Sequence, residues 1–366
     1  MRGVHPGRML LTFPGVLYLL VPVAVALGLS GATDTVVFIF SALAIIPAAK
    51  LMSDATEHLA THSGPAVAGL INVTLGNAPE LIIAIFALSA GLHEVVKAAV
   101  VGSIIGNALL VLGAAMLVGG RTRPRLTFSA TAAQAQTGLL LVTVTALALP
   151  AADQLLRGGE LPSAAATRLT FSPSIQHMSL IVSVILIATY LAGLLFSLRT
   201  HRNLFADALP DPHAWSYRRS LLAIVVGAAL VAILSHFLVD TVVDASHTLG
   251  LSEFFIGAFV VAVVGNASEH YASIAAAARD DMDLGLTMAV GSASQIGLVL
   301  APLLVIGSFV IGPAPMALVF NGWEVVALLA AAVITATLTS DGESTWLEGI
   351  ELLAVYILLG VFFYFA

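Results

Sequence analysis

The chain has 366 residues, of which 59% are hydrophobic and only 10% are charged. Soluble domains carry roughly 25% charged residues, so this composition excludes a water-soluble fold and indicates a multi-pass membrane protein. The lack of cysteine excludes disulfides and thiolate metal sites, and the net charge of -7 without a basic stretch argues against nucleic acid as a partner.

The N-terminal segment is predicted to be a membrane span that the protein retains. Arg2 and Arg8 precede an apolar run from Met9 to Leu29. The apolar region of a signal peptide is only about 7–15 residues long, and no clean cleavage site follows the run. We therefore expect an N-terminal transmembrane helix within residues 1–32.

Eleven runs are long and apolar enough to cross a bilayer, which takes about 20 residues. The runs are continuous rather than alternating, so we predict an all-α polytopic membrane protein rather than a barrel. Gly and Ser in the fourth and ninth runs predict bends or breaks there. The predicted spans are residues 10–30, 35–53, 65–91, 94–119, 128–150, 175–198, 220–240, 252–278, 284–311, 320–340 and 346–366.

The loop charges predict the orientation of these spans. Cytoplasmic loops are enriched in Lys and Arg, and a cytoplasmic N-terminus puts eleven of the 14 basic residues on that side. The other side then holds Lys97, Arg157 and Arg168. An odd number of spans places the C-terminus outside. The short linkers favour a bacterial inner (plasma) membrane.

An internal repeat divides the chain. Residues 76–80, Gly-Asn-Ala-Pro-Glu, recur as Gly-Asn-Ala-Ser-Glu at 265–269, an offset of 189 positions. The same offset relates Gly-Ser at 102–103 to Gly-Ser at 291–292. We predict five-helix halves at 33–198 and 220–366, joined by a cytoplasmic linker at 199–219. Because five is odd, the repeats are inverted, a plan of secondary transporters with the site at the midplane.

Two glutamates of this repeat are the central candidates for cation binding. Glu80 and Glu269 lie near the middle of the third and eighth spans, where a charge costs about 2.5–3.5 kcal/mol and usually serves a function. Asn77 and Asn266 precede them by three residues and so share their helix face. The predicted cation or proton pathway comprises Gly76, Asn77, Ser103, Asn107, Gly265, Asn266, Ser292 and Gln295.

The residue types predict a hard cation as the ligand. Carboxylate, amide and hydroxyl oxygens suit such ions, and calcium accepts 6–8 of them in a tolerant geometry. No His/Cys cluster suits zinc or copper. Two neighbouring carboxylates cannot easily both stay ionised without a cation, so protons should compete for the site. This competition predicts exchange by alternating access.

Four further residues are candidates for a proton relay or gate. Glu57 and His58 fall in the predicted cytoplasmic loop before the third span, and His270 follows Glu269. For these residues an interfacial or packing role is the alternative. Glu348 begins the last span, where a structural or gating role is favoured over coordination.

Five stretches carry a resemblance to a known family: residues 69–88, 102–113, 265–270 and 291–302, and Ser-Thr-Trp-Leu-Glu-Gly at 344–349. They resemble the calcium/cation antiporter superfamily, in particular its calcium/proton exchanger branch. The resemblance implies ten core helices plus one N-terminal helix. It also implies that Glu80 and Glu269 bind calcium, the transported substrate, and exchange it for protons without a cofactor. Sodium-coupled relatives typically carry Gly-Thr-Ser-x-Pro-Glu motifs, so Gly-Asn-Ala in both repeats favours protons.

Other functions fit the sequence less well. A sodium-coupled calcium exchanger is the nearest alternative, followed by a proton exchanger for another divalent cation such as manganese. An intramembrane zinc protease fails because the stretch from His93 has Lys97 where a second His is required, so we expect no enzyme activity. A channel is disfavoured because its filter usually comes from symmetric subunits.

Overall fold

The computed structural model describes residues 13–63, 65–163, 171–196 and 215–365. Apart from two short strands, the regular structure within these ranges is helical. The first half contains α1 Phe13–Leu17, α2 Leu20–Ser30, α3 Asp34–Ala60, α4 Pro65–Gly76, α5 Ala78–Ser89, α6 His93–Ile105, the π-helical segment π1 Gly106–Val111, α7 Leu112–Gly120, β1 Leu126–Thr127, α8 Ala130–Leu156 and α9 Pro173–Leu195.

The second half has a similar order of elements. It contains α10 Tyr217–Leu249, α11 Glu253–Phe255, the π-helical segment π2 Ile256–Val261, α12 Ala262–Gly265, α13 Ala267–Ala278, α14 Met282–Gln295, the π-helical segment π3 Ile296–Leu300, α15 Ala301–Gly307, α16 Gly322–Leu338, β2 Glu343–Ser344 and α17 Trp346–Phe365.

Seven helical stretches are long and apolar enough to cross a membrane, and an eighth results if the bent pair at 253–278 counts as one span. Shorter apolar helices lie at 15–30, 78–89 and 322–338. Each of the eleven predicted runs contains helical residues. The helical multi-pass class is therefore confirmed, whereas the count of eleven spans stays a prediction.

Helix breaks occur in the third and eighth spans. α4 ends at Gly76 and α5 begins at Ala78, and a bend of 60° separates 253–265 from 267–278. Pro79 falls in the first turn of α5, where its missing amide does no harm. The fourth and ninth spans contain no break, which corrects that part of the prediction, because residues 93–120 and 282–307 each form one helical stretch. The segments π1 and π3 lie within these two stretches.

The helix boundaries repeat with the sequence offset of 189. α5 at 78–89 corresponds to α13 at 267–278, and the last residues of α3 and α10, at 60 and 249, correspond as well. π1 begins at 106 and π3 at 296, one residue from the position expected from the offset. Local irregularities therefore follow the same register as the sequence motifs.

The first compact unit comprises residues 1–86, 208–253 and 264–268. Its main contact joins α3 to α10, where small residues let the backbones approach. A Cβ added to Gly227 of α10 would lie 3.1 Å from the Cβ of Met52 on α3. Met52 and Ile224 also belong to a buried cluster that includes Ala78, so this packing fixes the start of α5.

Glu57 and His58 lie in α3 and not in a loop, which corrects the sequence prediction. The predicted span ended at residue 53 because apolar residues end there, but residues 50–60 contain neither Gly nor Pro. An ion pair of 2.9 Å between Lys50 and Asp54, one turn apart, also supports helix in this part. The helix therefore extends beyond its apolar part.

The second compact unit comprises residues 87–207, 254–263 and 269–366. α6 packs against π2 so closely that a Cβ added to Gly102 would overlap the carbonyl oxygen of Ala258. α7 and α17 meet in a similar way, since a Cβ on Gly113 would lie 2.8 Å from the Gly349 oxygen. Glycines thus let these backbones pass each other closely.

A small antiparallel sheet joins two loops of the second unit. Leu126 pairs with Ser344 and Thr127 with Glu343. Arg123 of the first loop also forms a 2.9 Å ion pair with Asp280, which follows α13. The loops after the fourth, eighth and tenth predicted spans therefore lie together, as a topology with these loops on one side of the membrane requires.

Candidate cation site

Glu80 lies in the first turn of α5, directly after the break at Asn77. Both side chains are buried, with 8% and 6% of their surface exposed. A helix N-terminus favours a carboxylate because its amide groups carry partial positive charge. A Cβ added to Gly265 would lie 3.1 Å from the Cγ of Glu80, so Gly265 leaves the space that the glutamate side chain uses.

Glu269 occupies the equivalent first turn of α13 in the second unit. The Ser292 hydroxyl of α14 donates a short hydrogen bond to Oε2 of this partly buried glutamate. The Asn107 amide of π1 donates to the Ser292 hydroxyl at 3.2 Å. Three residues predicted from the sequence therefore form one polar chain across three elements.

The packing of α13 against α14 holds this chain in place. The Ser273 hydroxyl donates to the carbonyl oxygen of Gly285 at 2.7 Å. This bond links the two helices about one turn from Glu269 and about two turns from Ser292. A Cβ on Gly285 would lie 3.1 Å from the Ser273 oxygen. Glu269 and Ser292 are thus presented by two closely packed helices.

The other predicted pathway residues lie on the same elements. Ser103 of α6 is buried and Gln295, at the end of α14, is partly buried. Asn266 is completely buried at the break between α12 and α13. Gly76 ends α4, directly before the equivalent break. Their role in a pathway stays a prediction.

The predicted relay residues have contacts of their own. His58 stacks on Trp215 with ring centroids 4.7 Å apart, and Glu57 is exposed on α3. Glu348 accepts hydrogen bonds from the amide and hydroxyl of Thr345, at 2.6 and 3.2 Å, and so caps α17. His270 is partly buried in α13. The capping bonds favour a structural role for Glu348.

Gln136 is a further candidate, outside the pathway residues that the sequence predicts. Its amide donates to the Thr287 hydroxyl at 3.1 Å, which joins α8 to α14. A Cβ on Gly291 would lie 3.5 Å from its carbonyl oxygen, which has no hydrogen-bond donor among the described residues. This oxygen therefore lies next to Gly291, the residue before Ser292. The spacing of residues in the sequence does not predict that contact.

Carboxylate, amide and hydroxyl oxygens dominate these contacts. Within the described ranges, no group of three or more His, Cys, Asp and Glu side chains could hold a metal ion. Each half instead offers one glutamate with amide and hydroxyl groups nearby. This set suits a hard cation that takes part of its coordination shell from neutral oxygens.

Comparison with known families agrees with this chemistry. The model of the sodium/calcium exchanger protein family matches residues 33–199 and 219–365. The chain belongs to the sodium/calcium exchanger protein family. The match is divided into two stretches of similar length, on either side of residues 200–218.

Two bacterial proteins and one solved structure are similar to this chain over almost its whole length. A Ca(2+)/H(+) antiporter of Synechocystis is 38% identical and covers 96% of both chains. A Ca(2+)/H(+) antiporter of Aphanothece halophytica is 39% identical over 90% of both. The solved structure of native YfkE superimposes with a TM-score of 0.82 at 34% identity, covering 96% of this chain and all of that one.

Proposed function

We propose that the chain is a secondary active antiporter that exchanges calcium for protons by alternating access. The observation that carries this proposal is its 36–39% identity to three bacterial Ca(2+)/H(+) antiporters, over 90% or more of each chain. The polar chain from Glu269 through Ser292 to Asn107 supports it, because these groups supply the oxygens that calcium prefers.

Glu80 and Glu269 are proposed to bind the transported ion, one from each inverted repeat. Both lie in the first turn of a helix that follows a break, and the two helices share their boundaries through the offset of 189. The matched stretches at 33–199 and 219–365 also support a division into two repeats. Asn77, Asn266, Asn107 and Gln295 would line the path.

Competition between protons and calcium would couple the two fluxes. Two carboxylates that serve one site repel each other unless a divalent cation or protons neutralise them. Calcium release in one orientation therefore favours protonation, and proton release in the other favours calcium binding. His270, Glu57 and His58 are proposed only as relays toward this site.

The chain is proposed to lie in a bacterial inner membrane, with its N-terminus in the cytoplasm and its C-terminus outside. The excess of Lys and Arg in the loops on one side supports this orientation. Contacts join the loops at 121–127, 279–281 and 341–345. These contacts support placing all three loops on the same side of the membrane.

Reconstituted vesicles test the driving ion. Vesicles with an acidic interior should take up external calcium as protons leave, and addition of a protonophore should stop the uptake. Sodium on either side should make no difference, because the proposed exchange uses protons only. Radioactive calcium trapped after filtration is the measurement, and protein-free vesicles give the background.

The competing functions predict other results. Uptake that depends on a sodium gradient and ignores the pH gradient would identify a sodium-coupled exchanger and reject the proposal. Manganese uptake at the same proton gradient, without calcium uptake, would identify a proton exchanger for another divalent cation.

Ser292→Ala should weaken calcium binding while leaving the fold intact. The hydroxyl bonds the Glu269 carboxylate, and a hydrogen bond to a charged group contributes about 1.5–3 kcal/mol. The calcium concentration for half-maximal uptake should therefore rise by roughly 10- to 100-fold. Ser294→Ala is the matched control, because the Ser294 hydroxyl bonds the Val290 carbonyl in its own helix at 3.0 Å. Equal effects of the two substitutions would contradict the assigned role.

A further inference from the structure

A second group of ionisable side chains is buried in the second unit, apart from the candidate cation site. His93, Glu94 and Lys97 lie in the first turns of α6, with 2%, 8% and 2% of their surface exposed. Glu324 of α16 is completely buried. We call these four residues the α6–α16 cluster. Buried charges cost much free energy unless they are paired or neutralised.

Lys97 joins the two sides of the cluster. Its ammonium lies 2.7 Å from Oε1 of Glu94 and donates to the carbonyl oxygen of Val319 at 2.7 Å. The aromatic ring of Phe171 lies 5.7 Å from the same nitrogen. Val319 belongs to a buried segment without regular secondary structure, residues 316–321, that leads directly into α16. The ammonium is therefore held by contacts from both sides and is shielded from water.

Glu324 is fixed at the start of α16 by a capping box. Its Oε2 accepts from the amide of Asn321 at 2.8 Å, and Oδ1 of Asn321 accepts from the amide of Glu324 at 2.8 Å. α16 packs against α6, and the Lys97 ammonium binds the carbonyl oxygen of Val319 five residues before Glu324, so this carboxyl group lies in the same buried region as Lys97 and Glu94. Its second oxygen, Oε1, is buried and has no hydrogen-bond partner in the part of the chain that the structure describes.

The charges of the cluster do not balance when all groups are in their usual states. One ammonium faces two carboxylates, so full ionisation leaves one negative charge buried without a counter-ion. One added proton makes the cluster neutral. His93 is a poor carrier of that proton, because a protonated His93 would place a second positive charge one turn from the Lys97 ammonium on the same helix face.

We propose that the α6–α16 cluster is a second proton-binding site, in which the carboxyls of Glu94 and Glu324 together hold one proton. The unpartnered Oε1 of Glu324 is where this proton would reside when Glu94 pairs with Lys97. The bound species is a single proton, and no other reactant is needed.

This proton is distinct from those exchanged at the candidate cation site. Lys97 lies six residues before Ser103 and ten residues before Asn107, about 9 and 15 Å along the helix axis. The side chains of Val100, Val101 and Ile104 between them are apolar and buried. The inference therefore does not depend on the proposed exchange, and its test does not require transport.

Infrared difference spectroscopy of the purified full chain tests the site directly. The Glu80→Gln/Glu269→Gln variant removes both candidate transport carboxyls and should still show the absorption of a protonated carboxyl at neutral pH. Adding Glu324→Gln, which keeps an oxygen for the Asn321 amide, should remove that absorption. Adding Glu94→Gln should remove it too, because Lys97 then pairs with an ionised Glu324.

The matched control is Glu343→Gln, because Glu343 is an exposed carboxylate paired with Arg125 at 2.8 Å. This substitution should leave the absorption unchanged. If the Glu80→Gln/Glu269→Gln variant shows no protonated carboxyl, the proposal is overturned. This outcome includes the case in which His93 carries the proton. Persistence of the absorption after both Glu94→Gln and Glu324→Gln would overturn it as well.

A stability measurement provides a second test that does not depend on spectroscopy. Lys97→Met leaves two carboxyls without a cation and should lower the melting temperature. Lys97→Met/Glu94→Gln restores neutrality with Glu324 protonated and should recover most of that loss. A double variant no more stable than Lys97→Met would argue against a neutral, singly protonated cluster.

Discussion

Glu80→Gln and Glu269→Gln should each reduce proton-driven calcium uptake to the background of protein-free vesicles. Each substitution removes one negative charge from the proposed site while keeping the size of the side chain. Glutamine also imitates a permanently protonated glutamate, so the proton partner of the exchange is lost along with the calcium ligand. Uptake of radioactive calcium into vesicles with an acidic interior is the measurement.

The two substitutions should leave the fold intact. Glutamine can still accept the hydrogen bond from Ser292 at position 269, and it fits the space beside Gly265 at position 80. Glu343→Gln is the control for loss of one carboxylate, because this residue pairs with Arg125 on the surface. Full uptake by either Glu80→Gln or Glu269→Gln would reject the proposed pair of ligands, even if wild-type exchange of calcium for protons holds.

Much of the local architecture follows from the repeat in the sequence. The offset of 189 that relates the motifs at 76–80 and 265–269 also relates the boundaries of α5 and α13. Asn77 and Asn266 are the residues at which the two helices break. Such features are local, since they depend on a few neighbouring residues, and so a short motif predicts them.

Features that depend on distant residues were not predictable in the same way. The sequence predicts Ser292 as a pathway residue, but its hydrogen bond to Glu269 and the one that it accepts from Asn107 depend on how three elements pack. The stretch from His93 to Lys97 was considered only as a failed zinc motif. The carbonyl oxygen that Lys97 binds belongs to Val319, more than two hundred residues away, and no spacing rule connects them.

Glycine gave the least certain sequence signal. Gly and Ser in the fourth span predict a bend or a break, yet residues 93–120 form one helical stretch without a break. Gly102 instead removes a side chain at the contact with Ala258. The same residue type can serve a bend, a turn or a close approach, and only the packing partner distinguishes these uses.

Gly102→Ala should be strongly destabilising, whereas Gly106→Ala should not. A Cβ at position 102 would overlap the carbonyl oxygen of Ala258, and this atom belongs to a backbone that cannot rotate away as a side chain can. Overpacking of this kind typically costs about 1–3 kcal/mol. A Cβ at position 106 meets no atom within 4 Å in the described structure.

The two substitutions should even differ in sign. Gly106 has helical backbone angles, with φ of -60° and ψ of -50°, and replacing glycine by alanine in a helix stabilises by roughly 0.5–1 kcal/mol. Thermal unfolding of the purified variants in detergent, followed by tryptophan fluorescence, measures both effects. The chain has three Trp residues to report it. Equal melting temperatures for Gly102→Ala and wild type would mean that α6 and π2 are not in backbone contact. The position of Ser103 and Asn107 relative to Ser292 would then have to be explained by something other than this contact.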